Sequence, residues 1–125
     1  MKKTPQLQVA ELMVQVRRSV LYNLPVGNSS IPFDLVLLLF SNHARGGPPM
    51  SIKTLFGSLP YSDMGMRYHL NALLSEGWIS IERGPRDNRL RLVRPTEKLI
   101  ERFESVVHEL AQVVDSISLN PWRRA

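Results

Sequence analysis

The spacing of apolar residues in this chain changes sharply at Gly77. Before Gly77, apolar residues recur at three- and four-residue steps, which is the period of an amphipathic helix. From Trp78 to Arg94 they alternate with polar residues, as in a half-buried strand, and turn-forming residues at 84–88 divide this stretch in two. A β-hairpin that directly follows a series of helices is therefore the strongest constraint on the fold.

Helical spacing predicts two helices in the first third of the chain. The first covers residues 6–24, and Pro25 then ends it. The second should begin near Ser30, which can cap it, and Asp34 favours its first turn. Its body, residues 35–40, is apolar all round, so we expect this helix to be the most buried element.

A short helix, a tight connection and a longer helix follow. Ser51 can cap the short third helix, which Gly57 closes, and Ser62 can cap the fourth helix, which Gly77 stops. The fourth helix should turn four apolar side chains inward, namely Met66, Leu70, Leu73 and Leu74. Proteins of the helix-turn-helix class use two helices in this arrangement to place the second one in the major groove of DNA.

The alternating stretch after Gly77 predicts a two-stranded β-hairpin. In its second strand, Leu90 and Leu92 are expected to face inward, and Arg89 and Arg91 are expected to face outward. Such a hairpin would stand beside the helix-turn-helix as a wing.

The two terminal helices carry broad apolar stripes. The last of them covers residues 96–118, with Thr96 as its cap. Its stripe and that of the first helix, 6–24, are wider than a small winged core could cover, so a free monomer would expose a large apolar patch. These helices therefore predict a homodimer, in which they bury their stripes against a second chain.

Positive charge is concentrated in the hairpin. The chain has 125 residues and a formal net charge of +5, and this length predicts a single domain of residues 1–125. Between Arg83 and Arg94 lie five arginines against one acidic residue, Asp87, so most of the excess charge is local. The absence of cysteine excludes a disulfide framework, a cysteine zinc site and a cysteine nucleophile.

The order and spacing of these elements resemble the MarR-type winged helix-turn-helix regulators over about residues 31–105. In that family the recognition helix ends in Leu-x-x-x-Gly, which Leu73 and Gly77 match. The family's wing carries Asp-x-Arg, which Asp87 and Arg89 match, and the threonine that opens its next helix corresponds to Thr96. Two positions depart from the family pattern, Pro95 before that threonine and Leu99 after it.

The resemblance implies a mainly α-helical fold with a small β-hairpin. It implies a DNA-binding core at residues 31–94, with the wing at 83–94, and dimerisation helices at 6–24 and 96–118. The first and last helices of each chain would pack on those of its partner, which agrees with their apolar stripes.

Helical geometry selects the residues that would face DNA. On the fourth helix the predicted contacts are Ser62, Asp63, Met64, Arg67, Tyr68 and Asn71. Arg67 and Asn71 lie one turn apart, and their side chains can bond the edges of guanine and adenine. On the wing the predicted contacts are Arg83, Arg86, Arg89 and Arg91, held by ion pairing to Asp87; Lys53 and Thr54 should contact the DNA backbone. The same arginines would also guard an edge strand against pairing, and the helix residues could simply be solvated.

These features predict a sequence-specific double-stranded DNA-binding transcription regulator, a cytoplasmic repressor that binds a pseudo-palindromic operator as a homodimer. The alternatives are a winged-helix protein-interaction module and a DNA-binding replication or partition protein. No enzyme, cofactor or metal is predicted, since the chain lacks a nucleophile elbow and a phosphate-binding glycine loop, and its three histidines are widely spaced. The longest apolar run has six residues, so no membrane partner is expected, and a small-molecule effector remains an open question.

Overall fold

The computed structural model describes residues 3–116, which form five helices and three strands. In chain order these are α1 (Pro5–Asn23), α2 (Ile31–Ala44), β1 (Met50–Ser51), α3 (Ile52–Gly57), α4 (Asp63–Ser75), β2 (Ile79–Arg83), β3 (Arg91–Pro95) and α5 (Glu97–Ser116). The expected mainly helical, winged helix-turn-helix class is confirmed, with one strand more than the hairpin alone provides. The last two positions of the predicted helix 96–118 lie outside the described residues.

The chain divides into two compact units. The central unit comprises residues 24–101 and contains α2, α3, α4, the whole sheet and the first turn of α5. The terminal unit contains α1 and, within the described residues, positions 102–116 of α5.

An apolar core holds the central unit together. α2 packs against α4 and β3; its Leu35 and Val36 are fully buried, whereas Leu37 reaches solvent, so α2 is not buried all round. The other buried apolar side chains from residue 39 to residue 99 are Leu39, Leu55, Phe56, Met66, Leu70, Leu73, Trp78, Ile79, Val93 and Leu99. Each such side chain contributes about 1.5–3 kcal/mol when it leaves water, which fixes α4 on this core.

Two of the predicted helix caps are confirmed. The Ser51 hydroxyl accepts a hydrogen bond from the Thr54 N–H at 3.1 Å and caps α3. The Ser62 hydroxyl accepts from the Gly65 N–H at 3.1 Å and caps α4. Gly77 follows the end of α4 with a φ of +82°, a backbone conformation that glycine adopts without steric cost, and it stops the helix as expected.

The other two predicted cap residues stand directly before their helices, but the prediction that their hydroxyls cap these helices is wrong. Ser30 precedes α2, but its hydroxyl lies 2.9 Å from the Tyr61 hydroxyl, which in turn donates to Asp34. Thr96 precedes α5, but its hydroxyl donates to the carbonyl oxygens of Gly77 at 2.6 Å and Trp78 at 3.0 Å. In both cases a partner distant in sequence takes the hydroxyl that would otherwise cap the helix.

The sheet has three antiparallel strands in the order β1-β3-β2. β1 is only two residues long and pairs Met50 with Val93, and the alternating pattern gave no sign of it. β2 and β3 form the predicted hairpin, in which Ile81 lies opposite Val93.

The expected orientation of the second hairpin strand is wrong. Leu90 lies before β3 and is 44% exposed, while Val93 is the buried residue of the strand and Leu92 is only partly buried on its other face. The connection is longer than expected because the Gly84 N–H donates to Leu90 O and the Leu90 N–H donates to Asp87 O, so β3 begins at Arg91. A shift of one residue exchanges the two faces of a strand. Because Leu92 and Val93 are adjacent and both apolar, the sequence is compatible with either of them as the inward residue.

A partly buried polar cluster joins the two helices of the terminal unit, with Glu109 at its exposed side. Ser19 and Asn23 of α1 are buried, and both donate to Oε2 of Glu109 on α5, the amide of Asn23 at 2.9 Å. The Asn23 amide also donates to the Ser19 carbonyl at 2.9 Å. Hydrogen bonds to a carboxylate are strong and directional, so this cluster sets the register of α1 against α5.

Substitution of Glu109 tests the importance of this cluster. Glu109→Ala should lower the free energy of unfolding by about 0.5–1.5 kcal/mol, because Ser19 and Asn23 lose their carboxylate acceptor while Asn23 keeps its bond to the Ser19 carbonyl. Urea unfolding followed by circular dichroism at fixed protein concentration measures the change. Glu104→Ala, at an exposed position of the same helix, should cost less than about 0.5 kcal/mol. Equal losses in the two variants would contradict a structural role for the cluster.

Candidate nucleic-acid interface

One face of α4 is buried in the central unit and the opposite face is open to solvent. Met66, Leu70 and Leu73 are each 1% exposed, as the apolar spacing predicted. The expectation for Leu74 is wrong: it is 41% exposed, because the buried stripe of a short helix on one core is too narrow to include it. The outward residues expected from the sequence are all exposed, namely Ser62, Asp63, Met64, Arg67, Tyr68 and Asn71.

Arg67 is held against α3 by an aromatic ring. Its guanidinium carbon lies 5.6 Å from the centre of the Phe56 ring, and Phe56 is only 8% exposed. A guanidinium over a ring face at this distance gains a cation–π attraction. The side chain of Arg67 is therefore directed toward the α3 side of α4, a contact that the sequence did not indicate.

The first turn of α3 presents the two residues expected to meet the DNA backbone. Lys53 and Thr54 are both exposed. The Thr54 hydroxyl accepts from the Ser51 hydroxyl at 3.0 Å, so it is partly engaged in the capping of its own helix. Lys53 has no ion pair among the described residues, and its ammonium group is free to contact an anion.

The wing loop, residues 84–90, is closed by Asp87. Oδ1 of Asp87 accepts from the Arg89 N–H at 3.0 Å and from Arg89 Nε at 3.3 Å. Gly84 makes the closure possible: a Cβ at this position would lie 2.9 Å from the Asp87 carbonyl oxygen and 3.1 Å from the Leu90 Cβ. Asp87 therefore orders the loop and pairs with Arg89, while the Arg89 side chain remains 92% exposed.

The two strands of the wing place like charges opposite each other. Arg83 of β2 and Arg91 of β3 are register partners, and both are exposed. Like charges directly across two strands are unfavourable. Within residues 3–116 neither of these arginines has a recorded ion pair, nor does the exposed Arg86 of the loop. The wing therefore keeps an uncompensated positive surface at a cost to its own stability.

One arginine of the wing is neutralised by a residue that sequence reasoning missed. Arg94 forms an ion pair with Glu82 of the neighbouring strand. Glu82 lies opposite Leu92, so Arg94 is its diagonal neighbour on the same face. The sequence could have indicated this pair, since Glu82 directly precedes the arginine-rich segment 83–94 and carries the opposite charge.

Neither a metal-binding cluster nor a membrane-spanning helix occurs among the described residues. In the 3–116 part of the chain, no group of three or more histidine, cysteine, aspartate or glutamate side chains is arranged to hold a metal ion. Over the same residues, no helix combines the length and the apolar character needed to cross a membrane.

Comparison with known proteins gives a result at the level of structure. No protein-family model matches the chain, and no curated protein sequence matches it. Among solved structures, a transcriptional regulator from Thermotoga maritima, Tm0710, is similar with a TM-score of 0.65 and 18% identity, over 86% of this chain and 70% of that one. A variant of MepR from S. aureus, solved bound to an oligodeoxyribonucleotide, gives 0.64 and 17%, over 93% and 83% of the two chains.

A third similar structure is a regulator whose description includes its family resemblance. It is described as a MarR-like transcription regulator from Bacillus cereus, with a TM-score of 0.56 and 16% identity over 94% of this chain and 81% of that one. These neighbours are transcription regulators rather than enzymes. At such identities the likeness establishes the fold, and the resemblance found in the sequence is confirmed at that level: the chain has the winged-helix fold of the MarR-like transcription regulators.

Proposed function

We propose that this protein is a double-stranded DNA-binding transcription regulator, which places α4 in the major groove and its wing against the neighbouring DNA backbone or minor groove. The observation that carries the proposal is the opposed pair Arg83 and Arg91 on the wing. A protein that retains an unfavourable pair of unneutralised arginines gains from it when an anion, such as a phosphate backbone, binds there.

The exposed face of α4 supports the same function. Arg67 and Asn71 are exposed on it one turn apart, and arginine and asparagine side chains can bond the edges of guanine and adenine. The α4 cap Ser62 and the exposed Tyr68 add hydroxyl groups that can bond phosphates. The MepR variant with this fold was solved with an oligodeoxyribonucleotide, which supports DNA as the anion.

The proposed regulator acts as a homodimer through its terminal unit. Leu7, Val14 and Leu21 of α1 recur every seven residues and are 46%, 48% and 50% exposed. Val107 and Val114 of α5 have the same spacing and are 64% and 55% exposed. A seven-residue repeat keeps side chains on one side of a helix, and an exposed apolar stripe of this kind marks a surface for association. Two copies would present two α4 helices to a pseudo-palindromic operator, where the simplest action is repression in the cytoplasm.

Selection of bound DNA from a random pool tests the proposal. We expect one enriched sequence with two related half-sites, bound by the purified protein much more tightly than random DNA of equal length. Affinity measured by fluorescence anisotropy at several salt concentrations should fall linearly on logarithmic axes, because bound arginines and lysines release counterions. Binding without enrichment would favour a replication or partition role, and the absence of any salt-dependent DNA binding would favour a protein-interaction module.

Two single substitutions separate base reading from backbone binding. Arg67→Ala should relax base preference at one position of each half-site, with a loss of about 1–3 kcal/mol of discrimination. Arg86→Ala should instead weaken binding to all sequences by a similar factor and reduce the salt slope by about one for each subunit of the dimer. Affinities for the selected site and its single-base variants measure both effects. Unchanged base preference in Arg67→Ala would show that this side chain does not read the sequence.

A further inference from the structure

We infer that Met64 and Tyr68 of α4 read the methyl groups of thymines in the major groove. The inference rests on the proposed function, because it requires α4 to enter DNA. It adds the chemical class of base recognised and two specificity-determining residues that form an apolar contact rather than hydrogen bonds.

Helical geometry places the centre of the open face of α4 between Met64 and Tyr68. Successive residues of a helix are separated by about 100° around its axis. Met64 and Leu73 are therefore about 180° apart, and Leu73 is 1% exposed while Met64 is 83% exposed. Met66 and Leu70, which are also 1% exposed, lie about 200° and 240° from Met64. The centre of the open face therefore lies about 30° from Met64 in the direction of Tyr68.

Tyr68 extends this apolar centre by one turn. It lies about 40° from Met64 around the helix axis, and it is 70% exposed. Side chains four positions apart on a helix are neighbours, so the thioether and the phenol ring form one apolar surface along the helix. No other large apolar side chain among the described residues of α4 exceeds the 41% exposure of Leu74.

Arg67, one of the two residues expected to bond base edges, lies to one side of this apolar surface. Arg67 is about 60° from Met64 around the axis, and its guanidinium is drawn to the Phe56 ring of α3 at 5.6 Å. Asn71 lies about 20° from Met64 on the side away from Tyr68, and it is two turns further along the helix. In helix-turn-helix proteins the N-terminal turns of the recognition helix contact the base edges. In the first two turns of α4, the side chains nearest the centre of the open face are therefore Met64 and Tyr68.

The chemical groups in the major groove determine which base suits this apolar surface of α4. Base edges in the major groove present hydrogen-bond donors and acceptors, and the one apolar group among them is the C5-methyl of thymine. A methionine and a tyrosine ring at the centre of the helix would leave most of these polar groups unsatisfied. Against thymine methyls they instead remove apolar surface of both partners from water, which is favourable in proportion to the area buried.

Deoxyuridine provides the direct test, since it differs from thymidine only by the missing methyl. In the DNA site selected from a random pool, each thymine is replaced in turn by uracil, and the affinity is measured by fluorescence anisotropy. We expect about a fourfold loss at one or two thymines of each half-site, which corresponds to the about 0.8 kcal/mol of one buried carbon group. All other uracil substitutions should be neutral.

Variants assign the methyl contact to its side chain. In Met64→Ala, and in Met64→Gln, which keeps the length but adds a polar group, uracil at one sensitive position should no longer matter. Tyr68→Phe should retain the wild-type uracil pattern, because the ring and not the hydroxyl makes the contact, and Tyr68→Ala should lose sensitivity at the neighbouring position. Met13→Ala, at a 66% exposed methionine of α1, is the matched control and should keep the full pattern.

The outcomes separate this inference from the proposed function. If the selected site is bound but no uracil substitution changes the affinity, the inference is wrong and the DNA-binding function stands. If Met64→Ala and Tyr68→Ala keep the wild-type uracil sensitivity, the methyl groups are read by other residues and the inference is again overturned. If no DNA is enriched and no salt-dependent binding occurs, the proposed function fails and the inference fails with it.

Discussion

Replacement of both Arg83 and Arg91 by threonine should weaken DNA binding by the proposed homodimer more than about a thousandfold at about 0.1 M salt and at the same time raise the stability of the free protein. The binding loss follows because each arginine that neutralises a phosphate releases a counterion, and two fewer per subunit lower the salt slope by about two for each subunit. The stability gain follows because the two side chains are register partners across β2 and β3. Relief of like charges directly opposite contributes about 0.2–1 kcal/mol.

Threonine suits this test because it is a good strand former, so the hairpin should persist. Arg94→Thr is the matched control: it removes the same charge from the same strand, but Arg94 is already paired with Glu82. The single variants Arg91→Thr and Arg94→Thr, both on β3, should therefore differ in affinity, with the second close to wild type. Anisotropy titrations and thermal unfolding provide the two measurements. Equal losses in the two variants would mean that net charge alone attracts the DNA and that the wing makes no specific contact.

Substitution of Val14 by aspartate should convert the proposed homodimer into a monomer. Val14 is the middle member of the exposed α1 stripe, and in a free chain a carboxylate there would face water at little cost. In a dimer the same carboxylate would be buried without a partner, a cost of several kcal/mol, so the dissociation constant of the dimer should rise by more than about a thousandfold. Affinity for a two-half-site operator should then fall by more than about a hundredfold, because the two α4 helices no longer bind as one unit.

Sedimentation velocity at micromolar concentration measures the mass, and circular dichroism verifies that the helices remain folded. Met13→Asp introduces the same charge at the preceding position of α1, which is 66% exposed and lies about 100° away from the stripe. This control should remain dimeric and bind DNA normally. A wild-type chain that sediments as a monomer, or a Val14→Asp variant that remains a dimer, would refute the proposed interface.

Features that depend on neighbours in the chain could be predicted from the sequence. The caps at Ser51 and Ser62 each need a side-chain oxygen three residues before an N–H group, and the stop at Gly77 needs a residue that accepts a positive φ. The buried stripe of α4 also follows from helical spacing, and its exposed face is the remainder. Most of the candidate contact residues on α4 could therefore be placed on the open side before the structure was known.

Features that depend on partners distant in sequence could not be predicted from the sequence. The Thr96 hydroxyl has two carbonyl acceptors near the start of β2, and nothing in its own neighbourhood indicates them. The register of β3 depends on the closure of a loop by Asp87, which decides between Leu92 and Val93 as the inward residue. The position of Arg67 over Phe56 likewise depends on how α3 and α4 pack.

The closed wing loop has a consequence for the kinetics of recognition. Backbone bonds between Gly84 and Leu90 and between Leu90 and Asp87, together with the Asp87 side chain, order this segment in the free protein. Ordering a residue costs about 1–2 kcal/mol of conformational entropy, and here that cost falls on folding rather than on the encounter with a partner. The backbone that carries the arginines of the wing is thus already ordered before it meets an anionic surface. Association with that surface therefore does not require a prior folding step of the loop.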